Sequence, residues 1–159
     1  MTHRDLVEAS YKWVLKNGSC GVAFKELYSL TSNGEYPDVI GFGAWGHSVL
    51  IECKMSKSDF LADRKKPFRI CPDLGMGSYR FYCSPKELIN IEDLPDGWGL
   101  LWVDDSLKAR CIYKRAKGSI VLGEPQPKNI KAEHELMYSA LRRLQIRGRI
   151  DEIYSKEAG

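Results

Sequence analysis

The sequence predicts a single α/β domain built on a mixed sheet, and three observations carry that prediction. The chain has 159 residues and a mass of 18.1 kDa, enough for one sizeable core, with 43% apolar and 28% charged residues. Short apolar runs bounded by glycine, asparagine and proline recur from Cys20 to Tyr113 and read as strands. Segments of helical period precede, interrupt and follow them, so the sheet needs helices on both faces.

Residues 4 to 16 form the first helix. Leu6, Ala9, Trp13 and Val14 make its apolar stripe, Thr2 or His3 precedes it, and Asn17-Gly18 ends it. Cys20 to Leu30 reads as a strand, Pro37 to Phe42 as a second, and Ser48 to Met55 as a third. The short turn GAWGH makes the last two an antiparallel hairpin. A helix runs through DFLADRKK, capped by Ser56 or Ser58 and ended by Pro67. After the irregular CPDLGMGS comes a fourth strand, YRFYCS, which the crossover helix makes parallel to the third. A short helix (PKELI) and a hairpin of GWGLLWVDD and ARCIYKR follow. EPQPKN then links to a last helix, residues 131 to 147, with the stripe Leu136, Met137, Ala140, Leu141 and Leu144. The core of the domain spans residues 4–104, and the C-terminal hairpin, linker and helix span 105–159.

Composition excludes several classes of function. No apolar run approaches the roughly 20 residues of a membrane span, and MTHRDLVEAS lacks a signal-peptide core, so a cytoplasmic protein without membrane partners is expected. The five cysteines are odd in number and form no CxxC pair, which supports neither a zinc knuckle nor a disulfide framework. The net charge of +3 is small, but basic residues cluster at Arg64, Lys65, Lys66 and Arg69, and again at Arg142, Arg143, Arg147 and Arg149. His47, in the hairpin turn, reads as a solvent-exposed residue.

The chemistry is concentrated in SVLIECKMSKSDF, residues 48 to 60. Alternation sends Val49, Ile51, Cys53 and Met55 to one face and Leu50, Glu52, Lys54 and Ser56 to the other. A carboxylate and an ammonium on a core strand are costly unless something repays their desolvation. The hairpin brings Asp38 alongside Glu52, and these oxygens, with the Cys53 carbonyl, suit Mg²⁺ or Mn²⁺. Such an ion lowers the pKa of bound water, and Lys54 can orient that water or stabilise phosphoryl charge. The rival Asp63-Arg64-Lys65 frame falls in a helix, where residues two apart diverge. Asp63 is expected to answer a nearby basic residue instead.

Pro37-Asp38 followed by Glu52-Cys53-Lys54 resembles the PD-(D/E)XK nuclease signature. The nearer resemblance is to the MmcB-like branch, small bacterial proteins associated with DNA repair. There the Glu-x-Lys strand runs into Ser-x-x-Asp-Phe-x-x-Asp-x-Lys, matched here by Ser56, Asp59, Phe60, Asp63 and Lys65. The likeness covers about residues 20–104; Lys66-Pro67 replaces a tryptophan usual in the branch, and CPDLGMGS has no counterpart there.

The resemblance implies a restriction-endonuclease-like core of helix, antiparallel meander, crossover helix and parallel fourth strand. It implies hydrolysis of DNA, with Asp38, Glu52 and Lys54 catalytic and a further acid from Glu26 or Glu8, both of which remain open at this point. Arg64, Lys65, Lys66 and Arg69, beside the metal strand, are then expected to contact DNA phosphates. A homodimer is compatible with this reading, as is a non-catalytic module that recognises DNA structure.

Overall fold

Thr2 opens the first helix in the computed structural model, which describes residues 1–114 and 122–154. Its hydroxyl accepts from the Asp5 amide while the Asp5 carboxylate accepts from the Thr2 amide, a reciprocal cap that starts α1 (His3–Asn17). Gly18 ends α1, its amide donating to the Val14 carbonyl.

Six strands follow, β1 (Val22–Lys25), β2 (Val39–Phe42), β3 (Ser48–Cys53), β4 (Tyr79–Pro85), β5 (Trp98–Val103) and β6 (Ala109–Tyr113). They form one mixed sheet in the order β1-β2-β3-β4-β5-β6. β1, β2 and β3 are an antiparallel meander, β4 and β5 run parallel to β3, and β6 returns antiparallel. The crossover between β3 and β4 carries α2 (Lys57–Asp63), capped by Ser56, and the single turn α3 (Pro67–Ile70). The long α4 (Ile130–Ile146) closes the domain, followed by a 3-10 turn at Ile150–Tyr154. Of the expected strand ARCIYKR, Arg115 lies outside the described residues. No helix among the described residues is long and apolar enough to cross a membrane.

The sheet is covered on both faces, which is why every residue of β3 is buried. On one face α1 sets Leu6, Val7 and Val14 against Val39, Val49, Ile51 and Phe81. Gly41 permits the close approach, since a Cβ there would stand 2.8 Å from both Val14 Cγ2 and Cys20 Sγ. On the other face Ile40, Leu50, Tyr82 and Leu100 meet Phe60 of α2 and Ala132 and Leu136 of α4.

Several elements differ from expectation, each for a local reason. The strand expected from Cys20 to Leu30 holds only Val22–Lys25, because Glu26 takes a positive φ of 45° and turns the chain away. Pro67 does not simply end a helix: it occupies the first turn of α3, where its missing N–H costs nothing. PKELI is not helical, since Pro85 ends β4 and Glu87 adopts φ 65°. His47 is buried rather than exposed, its Nε2 3.1 Å from the Gly18 carbonyl.

The stripe of α4 is only partly used. Leu136 is buried, but Leu141 is half exposed, because the helix docks through its N-terminal half. There the buried Glu133 accepts from the Ser48 hydroxyl and the Gly77 amide and pairs with Lys128 at 2.8 Å. CPDLGMGS wraps around a buried Arg80, which donates to the carbonyls of Pro72, Gly75, Gly77 and Pro127. The cysteines are all free, with Cys20, Cys53 and Cys83 buried and Cys71 and Cys111 exposed.

Candidate active site

Val39 pairs with Ile51 across β2 and β3, so the next residues of the two strands, Asp38 and Glu52, lie opposite each other. Glu52 points with Leu50 away from α1, as alternation requires. It is 3% exposed, with Oε2 3.4 Å from Lys54 Nζ and Oε1 3.0 Å from Arg69 Nη2. Burial pushes its carboxyl up to about 7; Arg69 and Lys54 oppose the shift, and the charges of Asp38 and Asp63 add to it.

Lys54 Nζ also lies 3.5 Å from Asp63 Oδ1. Asp63 Oδ2 in turn accepts from Arg69 Nε and from the Tyr82 hydroxyl, each at 2.9 Å, while Lys66 approaches Oδ1 at 2.8 Å. Burial alone would raise the pKa of Asp63, but Arg69, Lys66 and Lys54 outweigh it and hold the group well below the carboxylate range. The Arg69 guanidinium also pairs with Glu35, whose other oxygen accepts from the Met76 amide at 2.7 Å. The carboxylates of Glu35, Glu52 and Asp63 thus share one buried cluster with the cations of Lys54 and Arg69, the Arg69 guanidinium lying 5.2 Å over the Trp98 ring.

Asp38 belongs to a more open half of the site. Its Oδ2 accepts from the Cys53 amide at 2.8 Å, and its Oδ1 lies 3.5 Å from His3 Nε2. His3 Nδ1 is 3.8 Å from Glu26 Oε1, and the donor atoms of His3, Glu26 and Asp38 fall within 4.8 Å of one another. In a strand the amide and carbonyl of one residue point the same way, so the Cys53 carbonyl faces Asp38 as well. Carboxylate and carbonyl oxygens with one imidazole form a donor set that Mg²⁺ or Mn²⁺ can take. Glu8 is paired instead with Lys25 Nζ of β1 at 2.5 Å. Between the two candidate acids, only Glu26 neighbours Asp38.

In fold the chain is similar to the SPO1766 protein of Silicibacter pomeroyi, a protein of unknown function. The likeness has a TM-score of 0.62 and 25% identity over 91% of this chain and 90% of that one. No family model and no curated protein matches the sequence.

The basic residues after β3 do not act as one group. Lys65 is exposed, Lys66 reaches back to Asp63, and Arg64 donates to the Asp93 carbonyl at 3.0 Å. Arg69, expected at the phosphates, is instead a buried counter-ion with its side chain 2% exposed, because three carboxylates converge on it. Sequence reasoning missed Glu35, Tyr82 and His3. Glu35 sits in the polar turn SNGEYPD, where nothing in the pattern distinguishes a buried acid from a solvated one.

Proposed function

We propose that the protein is a Mg²⁺- or Mn²⁺-dependent nuclease that hydrolyses DNA phosphodiester bonds on a restriction-endonuclease-like core. The observation that carries this reading is Asp38 opposite Glu52 at the C-terminal end of β3, with Lys54 on the face of Glu52. Asp38, Glu26 and His3, with the Cys53 carbonyl, would hold the ion, and Glu52 occupies the strand position opposite Asp38. When bound, the ion supplies a coordinated water of lowered pKa.

The chain's own groups do the rest. Lys54, held between Glu52 and Asp63, would offer its ammonium to charge building on a phosphoryl oxygen. Burial holds the Glu52 carboxyl near pH 7, where it can take or return a proton of the attacking water. Arg69 fixes the Glu52 rotamer from behind.

The test is purified protein with Mn²⁺ or Mg²⁺ on single-stranded, duplex and branched DNA. Metal-dependent cutting that disappears in Glu52→Ala and Lys54→Ala is the expected result, and cutting that survives both changes overturns the assignment. A second reading, a DNA-structure-binding module that does not cut, is favoured by one observation: Glu52 has a cation partner within the protein itself, Arg69 at 3.0 Å. That reading predicts salt-dependent DNA affinity and no turnover with either metal.

A further inference from the structure

A groove of about 550 Å³ opens between the segment after β1 and the outer face of α4. Its walls carry Tyr28, Leu30, Tyr138, Arg142, Arg143 and Ile146. Both tyrosine rings are largely exposed, at 63% for Tyr28 and 60% for Tyr138. Arg143 donates to the Tyr28 carbonyl and ties the two walls together. Arg142 is exposed and makes no ion pair with the described residues.

The polar groups in the walls are unevenly satisfied. Glu135 Oε2 accepts from the Ser32 amide at 2.9 Å, which holds that carboxylate against the loop. Its Oε1 and the Ser29 hydroxyl are buried without a hydrogen-bond partner. An apolar slot with two aromatic faces and two guanidinium groups suits a ligand that is flat and anionic along one edge.

Side-chain contacts link the groove wall to the candidate active site. Tyr28 meets Tyr36 edge to face with centroids 6.0 Å apart, and the Tyr36 hydroxyl donates to the Glu26 carbonyl at 2.7 Å. Glu26 is itself beside His3 and Asp38. Aromatic rings therefore lead from α4 to the acidic cluster.

We propose that this groove binds an unpaired DNA strand, its bases on Tyr28 and Tyr138 and its phosphates toward Arg142 and Arg143. The proposal rests on the nuclease reading for the identity of the polymer. It adds that the strand entering the site is single: a duplex keeps its base faces stacked, so it offers nothing to the two rings. Charge complementarity favours this occupant over an apolar segment, which would leave the exposed Arg142 guanidinium without a partner of opposite charge.

Fluorescence anisotropy in EDTA separates binding from cutting. The probes are a labelled oligothymidylate of about 12 nucleotides and a hairpin duplex of similar length, within the site sizes of single-strand binders. The oligothymidylate is expected to bind at least about tenfold tighter than the duplex. Tyr28→Ala and Tyr138→Ala should each weaken it by roughly 5- to 100-fold, the range of one lost base stack, while Tyr28→Phe retains binding. Arg142→Ala should weaken binding and flatten its salt dependence. These residues are exposed, so unchanged melting of the variants separates lost contacts from lost folding.

Equal affinity for duplex, or variants that bind like the parent, would overturn the proposal. So would sedimentation showing a dimer that Tyr138→Ala dissociates, since a second copy would then cover the face. Lost cutting with single-strand binding intact would remove the nuclease reading alone. Metal-dependent cutting with no single-strand preference would remove the groove alone.

Discussion

Arg69 stands 3.0 Å from Glu52 with its side chain 2% exposed, and the same guanidinium reaches Asp63 and Glu35. A core strand can therefore carry Glu52 and Lys54 because α3, a single turn, inserts one cation among carboxylates from three other segments. Replacing Arg69 by Met leaves three buried carboxylates short of a partner. Removing one member of a buried ion pair costs about 3–5 kcal/mol, and urea denaturation of Arg69→Met should show a loss of that size. A loss below about 1 kcal/mol, the value of an exposed pair, would mean that water reaches the pocket.

The Glu52 carboxyl makes stability depend on pH in an unusual direction. In the unfolded chain it releases its proton near 4.5, whereas in the folded protein it keeps it up to about 7. Between those values the folded state binds more protons, so stability falls as pH rises through the window, by up to about 3 kcal/mol. Asp63 works the other way: its depressed pKa gives stability that is present above the ordinary carboxylate range and lost in acid. Urea midpoints from pH 5 to 7.5 should decline in the parent and stay flat in Glu52→Gln. A parent profile as flat as the variant's would show that Glu52 is ionised throughout.

The sequence and the structure agree best where periodicity is unambiguous. The meander, the crossover to a parallel β4 and the alternation along β3 follow from apolar runs and short turns, and Leu6, Trp13 and Val14 pack where their stripe puts them. Disagreement falls where one residue's backbone or one long side chain decides. Glu26 ends β1 by its φ alone, which no apolar pattern encodes. Arg69 lies in a basic cluster expected at DNA phosphates, and only the fold reveals that Glu35, Glu52 and Asp63 surround it. Arg80 likewise organises CPDLGMGS through backbone carbonyls, which have no sequence signature.

Gly77 tests that wrapping. Its φ of +93° is unfavourable for any other residue, and an added Cβ would stand 2.7 Å from the Leu50 Cβ on the sheet. Its amide also donates to Glu133, the residue that locks α4 to β3. Gly77→Ala should therefore destabilise the protein by about 2–4 kcal/mol, combining backbone strain with overpacking. Hydrogen exchange should show the N-terminal half of α4 opening first. If α4 keeps the parent's protection while the rest of the protein loosens, the lock through Glu133 is not what seats the helix.

Asp38 allows the metal question to be asked without damaging the fold. One of its oxygens accepts from the Cys53 amide, and an asparagine can keep that bond through its amide oxygen. The charge beside His3 and Glu26 is lost, so a divalent ion gives up one of its two carboxylates at the open half of the site. Asp38→Asn should retain the parent's stability to urea within about 1 kcal/mol, the value of an ordinary hydrogen bond. Its affinity for Mn²⁺, followed by the electron paramagnetic resonance of the free ion, should fall at least about tenfold, and His3→Ala should produce a smaller loss. Glu8→Gln, paired with Lys25 and outside the cluster of His3, Glu26 and Asp38, should leave Mn²⁺ binding unchanged. If Glu8→Gln weakens Mn²⁺ and Asp38→Asn does not, the ion binds beside Glu8 and the open half of the site is not where it sits.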